Sequence, residues 1–162
     1  MLCKVLFTLS PLCFTGTNRV IRERLLLISR CDFIPNSMKS PCRHFNCIQC
    51  CKETVMLLSN ADIKRIENLG FSRDLFVDDV EGWLQLKNQN DHCVFHDGMK
   101  CLIYTHRPEG CTLYPIIYDM DNDCAVIDED CRYGSHFSIS QDIRKQLFSL
   151  VSRIKSERYK KD

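Results

Sequence analysis

Apolar positions recur at helical spacing in two places. Ile63, Ile66 and Leu69 fall three residues apart, behind Ser59 and Asp62, which together make a capping box in its Asp form. Gly70 stands where a helix would end. Near the C-terminus, Ile143, Leu147, Leu150, Val151 and Ile154 form a second helical stripe, opened by Ser138 or Ser140. The charged tail from residue 158 onward is expected to fray. Between the stripes the pattern shortens to strand length. Residues 80–86 read as a short strand anchored by Trp83, and residues 88–91 as a turn. Residues 92–95 and 100–104 flank Asp97-Gly98, and residues 113–118 and 125–127 flank Asp121-Asn122-Asp123, which predicts two hairpins. A basic segment at 18–30 could make one more helix, but its consecutive Leu25 to Ile28 blur the stripe.

The expected fold is therefore a small α+β domain, with two main helices packed around short antiparallel hairpins. Three parts are expected: an N-terminal extension over residues 1–37, a central domain over 38–137, and the helix and tail over 138–162. Residues 1–37 carry five basic residues against two acidic ones. They read equally well as a peripheral extension or as a leader upstream of a true start at Met38.

Composition changes this picture in one respect. Of 162 residues, 12 are cysteine, enough to require an explanation by disulfides, metal or thiol chemistry. Disulfides need an oxidising compartment. The first 17 residues make a poor signal peptide, since Pro11 interrupts a short apolar run and no small-residue cleavage site follows. A cytoplasmic protein with metal or thiol chemistry is expected instead. The formal charge of +1 gives no whole-protein field for nucleic acid or an anionic membrane, so neither is expected as a partner. No apolar run approaches the roughly 20 residues of a membrane span. A protein partner stays open.

The cysteines fall into two groups. The first is a knuckle, Cys42-Arg-His-Phe-Asn-Cys47-Ile-Gln-Cys50-Cys51. The two-residue gap from Cys47 to Cys50 lets both thiolates converge on one metal, the recurrent unit of zinc and iron–sulfur sites. Neighbouring side chains diverge, so Cys50 and Cys51 are expected to serve different centres, or one of them to pack. The second group is Cys93, Cys101, Cys111 and Cys131. The Asp97-Gly98 turn could bring Cys93 opposite Cys101, and a turn over residues 107–110 could return Cys111. Eight candidate ligands suit two four-thiolate sites, or one cluster and a second centre. Cys3, Cys13, Cys31 and Cys124 read as small buried hydrophobes.

Several other residues bear on the same chemistry. Arg107 reads first as a brace for its turn, with a substrate carboxylate or cluster sulfur as the alternative target. Tyr104 and Tyr114 read as packing. His44, His92, His96 and His106 lie near cysteines and could be ligands or donors to them, His106 foremost. The acidic runs at 119–123 and 128–130 lack the spacing of a calcium loop. Phosphate-binding glycine loops, a dinucleotide fingerprint and a nucleophile elbow are all missing.

These pieces together carry a resemblance. The knuckle ending Cys47-Ile-Gln-Cys50-Cys51, Leu58-Ser59-x-x-Asp62-Ile63, Cys93-Val-Phe-His96, Cys101-Leu-Ile-Tyr-Thr-His-Arg-Pro-Glu-Gly-Cys111 and Tyr114-Pro115 resemble the YkgJ family of cysteine-cluster proteins, described as zinc- or iron-chelating. The likeness spans residues 42 to about 131. It implies metal binding through cysteine and an intracellular location, but no particular reaction. A flagellin lysine methylase has a related cluster, and its methyl transfer is not carried over. Many members have glycine in the knuckle where this chain has Ile48-Gln49. Three functions follow as expectations. One is an iron–sulfur protein tied to electron transfer, favoured slightly because eight thiolates suit clusters. Another is a zinc-stabilised interaction module. The third is a metal-dependent enzyme that modifies a protein side chain.

Overall fold

The computed structural model describes residues 45–159. The expected leader, the basic segment at 18–30 and Cys42 lie outside the described residues. The described chain is α+β, with four helices and three separate two-stranded antiparallel sheets.

Helix α1 spans Asn60–Glu67. Its start follows the predicted capping box: Ser59 Oγ accepts from Asp62 N, and Ser59 N donates to Asp62 Oδ2 at 3.1 Å. Ile63 and Ile66 are buried. Leu69 is not, because the helix has already ended and the chain is reversing towards Gly70 at φ +94°.

A single turn, α2 (Arg73–Phe76), seats Phe76 in the core and runs into β1 (Val77–Val80). Strand β1 pairs with β2 (Trp83–Leu86), in register Val77↔Leu86 and Val80↔Trp83. Glu81 and Gly82 turn the chain with φ of 53° and 86°, the left-handed values that a tight hairpin needs. The sequence predicts only the second strand of this pair. The first carries exposed Asp78 and Asp79 and shows no apolar alternation.

The turn at 88–91 belongs to a miniature hairpin, β3 (Asn88–Gln89) with β4 (His92–Cys93). Asn90 and Asp91 both take positive φ there. The hairpin expected around Asp97-Gly98 shrinks to one bridge, His96↔Cys101. Asp97 Oδ1 accepts from Met99 N and Lys100 N, so the turn forms, but residues 104–106 curl into a 3-10 turn instead of a strand.

The segment read as a turn over 107–110 is the start of a helix, α3 (Glu109–Leu113). Pro108 precedes it, where a missing N–H and a fixed φ do no harm. Strand β5 (Ile116–Asp119) therefore begins later than predicted and pairs with β6 (Cys124–Ile127). The intervening acidic turn is held by Asp119, whose Oδ1 accepts from Asp121 N and Asn122 N.

Helix α4 (Gln141–Tyr159) closes the fold. Of the two serines proposed as its cap, Ser140 serves: its Oγ accepts from Ile143 N and its carbonyl from Arg144 N. Leu147 and Leu150 enter a core with Leu113, Ile116, Tyr118 and Ala125. A second core gathers Leu58, Ile66, Phe76, Leu86 and Phe95. No helix among the described residues is long and apolar enough to cross a membrane.

Candidate metal centre

Cysteine side chains from four separate segments face one cavity of about 490 Å³. Cys47, Cys50 and Cys51 arrive from the knuckle, where residues 49–51 form a 3-10 turn. Cys93 comes from β4, Cys101 from the bridge with His96, and Cys111 from α3. Cys131 does not line this cavity, although its charge acts on that of Cys47 and Cys50. The eighth candidate, Cys42, lies outside the described residues. Among the described residues no three His, Cys, Asp or Glu side chains already converge as a formed coordination set. The sulfurs surround a space instead of meeting at a point.

The adjacent cysteines behave differently from the expectation that they diverge. Neighbours on a 3-10 turn stand about 120° apart, yet the Cys50 and Cys51 side chains hydrogen-bond each other. Both face the same cavity. That bond draws Cys50 down from 9.0 to about 7 and pushes Cys51 up. Three other thiols are pushed up chiefly by burial: Cys93 to about 11, with Cys101 and Cys111 in the same direction. The charges of Cys93, Cys50 and Cys101 raise Cys111 further. Thiolates this close together need a cation beside them before they can ionise jointly.

Among the described residues two cationic side chains line the cavity, Lys100 and Arg107, and Arg107 is held in place. Arg107 lines the cavity, and its charge favours the thiolate forms of Cys50, Cys101 and Cys111. Its guanidinium carbon lies 4.0 Å from the centroid of the Tyr104 ring, and Nη1 donates to Tyr104 O at 3.3 Å. Arg107 thus does more than brace a turn, the role the sequence suggests first. The bracing falls to residues the sequence did not connect. Buried Asp62 accepts from Glu109 N at 3.0 Å through Oδ1, and the same oxygen pairs with Arg65. Arg65 Nη2 donates to Arg107 O at 3.1 Å. Helix α1 therefore positions the loop that presents Arg107 and Cys111. The pairing Ser59-x-x-Asp62 was legible as a cap; its reach to Glu109, 47 residues on, was not.

Of the histidines, His96 alone among the described residues lines the cavity. His106, the foremost sequence candidate, is exposed, and its Nδ1 pairs with Thr105 Oγ1 at 3.0 Å. His92 Nδ1 sits 2.9 Å from Asn90 O. Two buried polar atoms on the cavity have no partner among the described residues, His96 Nε2 and Arg107 Nε. Tyr114 also lines the cavity and hydrogen-bonds Asp128; burial and the Asp128 charge both raise its phenol above the ordinary value.

The donor set suits a soft or borderline metal. Thiolates select zinc, copper(I) and iron–sulfur clusters over hard cations, and among the described residues no carboxylate lines the cavity. The unpaired donors at its wall suit an anionic, sulfur-rich occupant.

A family model, CxxCxxCC, described as a zinc- or iron-chelating domain, matches residues 41–132. The match covers more than half of the chain and all eight candidate cysteines, and it ends before α4. Aligned so that its final pair falls on Cys50-Cys51, the pattern spelled in the family's name puts cysteines at position 47, occupied by Cys47, and at position 44, where this chain has His44. Comparison with curated proteins and with solved structures finds no match.

Proposed function

The chain belongs to the CxxCxxCC family of zinc- or iron-chelating domains, and from that premise we propose that its cysteine cavity holds an iron–sulfur cluster used in electron transfer. The observation that carries this reading is six cysteines from four segments around a single cavity of about 490 Å³. A cluster is held by four thiolates, as one zinc ion is, so what favours it is the space, which one zinc ion with sulfur at about 2.3 Å leaves largely unused. Cys50, Cys51, Cys93, Cys101 and Cys111 are the ligands of first choice, because their charges act on one another. Cys47, on the cavity, acts electrostatically on Cys131, off it; with Cys42 these supply a second centre or complete the first. When bound, a cluster supplies a one-electron carrier whose potential depends on exposure and on hydrogen bonds to sulfur. The chain's part is to hold the thiolates and to offset their charge with Arg107.

A second reading has its own observation. Met99 is 83% exposed and Leu102 57%, both in the loop beside the cavity. A zinc-held fold would present these apolar side chains to a protein partner.

Anaerobic purification followed by visible absorption and by iron, sulfide and zinc analysis tests the proposal. A brown protein with iron and acid-labile sulfide is expected. A colourless protein holding zinc without sulfide would overturn the cluster and favour the second reading. Protein that takes up neither metal would overturn metal binding altogether.

A further inference from the structure

We propose that His96 and Arg107 are not ligands but the hydrogen-bond donors to metal-bound thiolate in this cavity, His96 through Nε2–H and Arg107 through Nε–H. The inference rests on the metal-thiolate reading above and adds the roles of two residues.

The tautomer of His96 is set by its neighbour. Gly98 N donates to His96 Nδ1 at 3.1 Å. A backbone N–H can only donate, so Nδ1 is the acceptor and the ring proton resides on Nε2. That nitrogen is therefore a donor and has no lone pair to offer a metal. It is buried on the cavity wall with no partner among the described residues. The Arg107 group is constrained in the same way. Its plane lies against Tyr104 and Nη1 is committed to Tyr104 O, which leaves Nε–H, also buried, facing no acceptor among the described residues.

Acceptors stand close by. His96 bridges Cys101 in antiparallel pairing, which puts the two side chains on one face with Cβ atoms about 5 Å apart. The charge of Arg107 acts on Cys50, Cys101 and Cys111. A neutral thiol is a weak acceptor, whereas a thiolate is a strong one. Two buried donors without acceptors are costly in a native fold. Among the described residues no sulfur lies within hydrogen-bond reach of either donor; both become satisfied when metal draws the thiolates inward and gives them negative charge. Such partners are routine around metal ligands, and removing one typically costs about 10- to 100-fold in affinity.

The test strips metal from the anaerobically purified full chain with excess chelator and compares rates. His96→Phe should lose metal about tenfold faster or more, the usual effect of losing such a partner. His96→Gln should stay near wild type, because its amide nitrogen takes the place of ring Nε2. His96→Asn should behave like His96→Phe, because its amide reaches only as far as Nδ1. Arg107→Lys keeps the charge and loses Nε–H, and it should also release metal faster. Circular dichroism before stripping shows which variants are folded; if His96→Phe is not, the Gln and Asn pair decides. Glutamine no better than asparagine overturns the His96 role, and an unchanged Arg107→Lys overturns the Arg107 role. A wild type without metal overturns the reading beneath both.

Discussion

Replacing Asp62 by alanine is a severe single change outside the cavity. The side chain is wholly buried. Oδ2 accepts from Ser59 N at 3.1 Å and Ser59 Oγ at 2.7 Å, and Oδ1 accepts from Glu109 N at 3.0 Å and from Arg65. The Arg65 side chain is 38% exposed and can turn to water, so its loss counts for little. The other three donors cannot. Hydrogen bonds to a charged acceptor are worth about 1.5–3 kcal/mol each, and a buried donor left alone costs about 1–3 kcal/mol. Allowing for water entering the gap, we expect a loss of about 4 kcal/mol, a large share of the roughly 5–15 kcal/mol of a typical domain. Ser59→Ala should lose only about 1 kcal/mol, as for an ordinary cap, and Arg65→Met less. Urea unfolding followed by circular dichroism, at equal metal occupancy for all variants, measures the three. A loss under about 1 kcal/mol for Asp62→Ala, or no separation from Ser59→Ala, would refute the argument that this carboxylate joins α1 to α3.

Three further outcomes follow from the same geometry. Cys50→Ser and Cys51→Ser, made separately, should each lower metal content, since both sulfurs face one cavity; metal analysis showing that only one matters would separate their roles. Gly110→Ala should change stability by less than about 1 kcal/mol, because a Cβ there, 2.5 Å from Met56 Sδ, displaces the end of a flexible thioether while alanine favours the helix; thermal unfolding checks it. Metal-free protein should lose stability as pH rises from 9.0 through about 11, because burial raises the Cys93 thiol and the unfolded chain gives up that proton first; urea midpoints across that range would show a fall, and a rise would contradict the burial of Cys93.

What could be read from the chain alone was local. The cap at Ser59 and Asp62, the cap at Ser140 and the acidic turn after β5 depend on residues within four positions of one another. Strand β1 was hidden because Asp78 and Asp79 face water, so no apolar alternation marks it. Helix α3 was hidden by Pro108 and Gly110, which read as turn residues, although proline before a helix and glycine against Met56 are both at ease there. Cysteine spacing indicated which sulfurs to consider. It could not show Cys50 and Cys51 sharing a cavity, because that depends on a 3-10 turn and on segments arriving from β4 and α3. The choice of His96 over His106 was equally non-local: one faces inward beside Cys101 and the other outward.

The shortness of α3 has a mechanical consequence. Within five residues it sets Cys111 on the cavity, Gly110 against Met56 and Leu150, and Glu109 in an ion pair with Arg153 of α4. Met56 itself borders both the thiol cavity and the small apolar space beneath α4. With so few residues between these attachments, α3 joins the cavity wall directly to the 19-residue helix. A substitution at any one of these three positions therefore bears on both the cavity wall and the packing of α4.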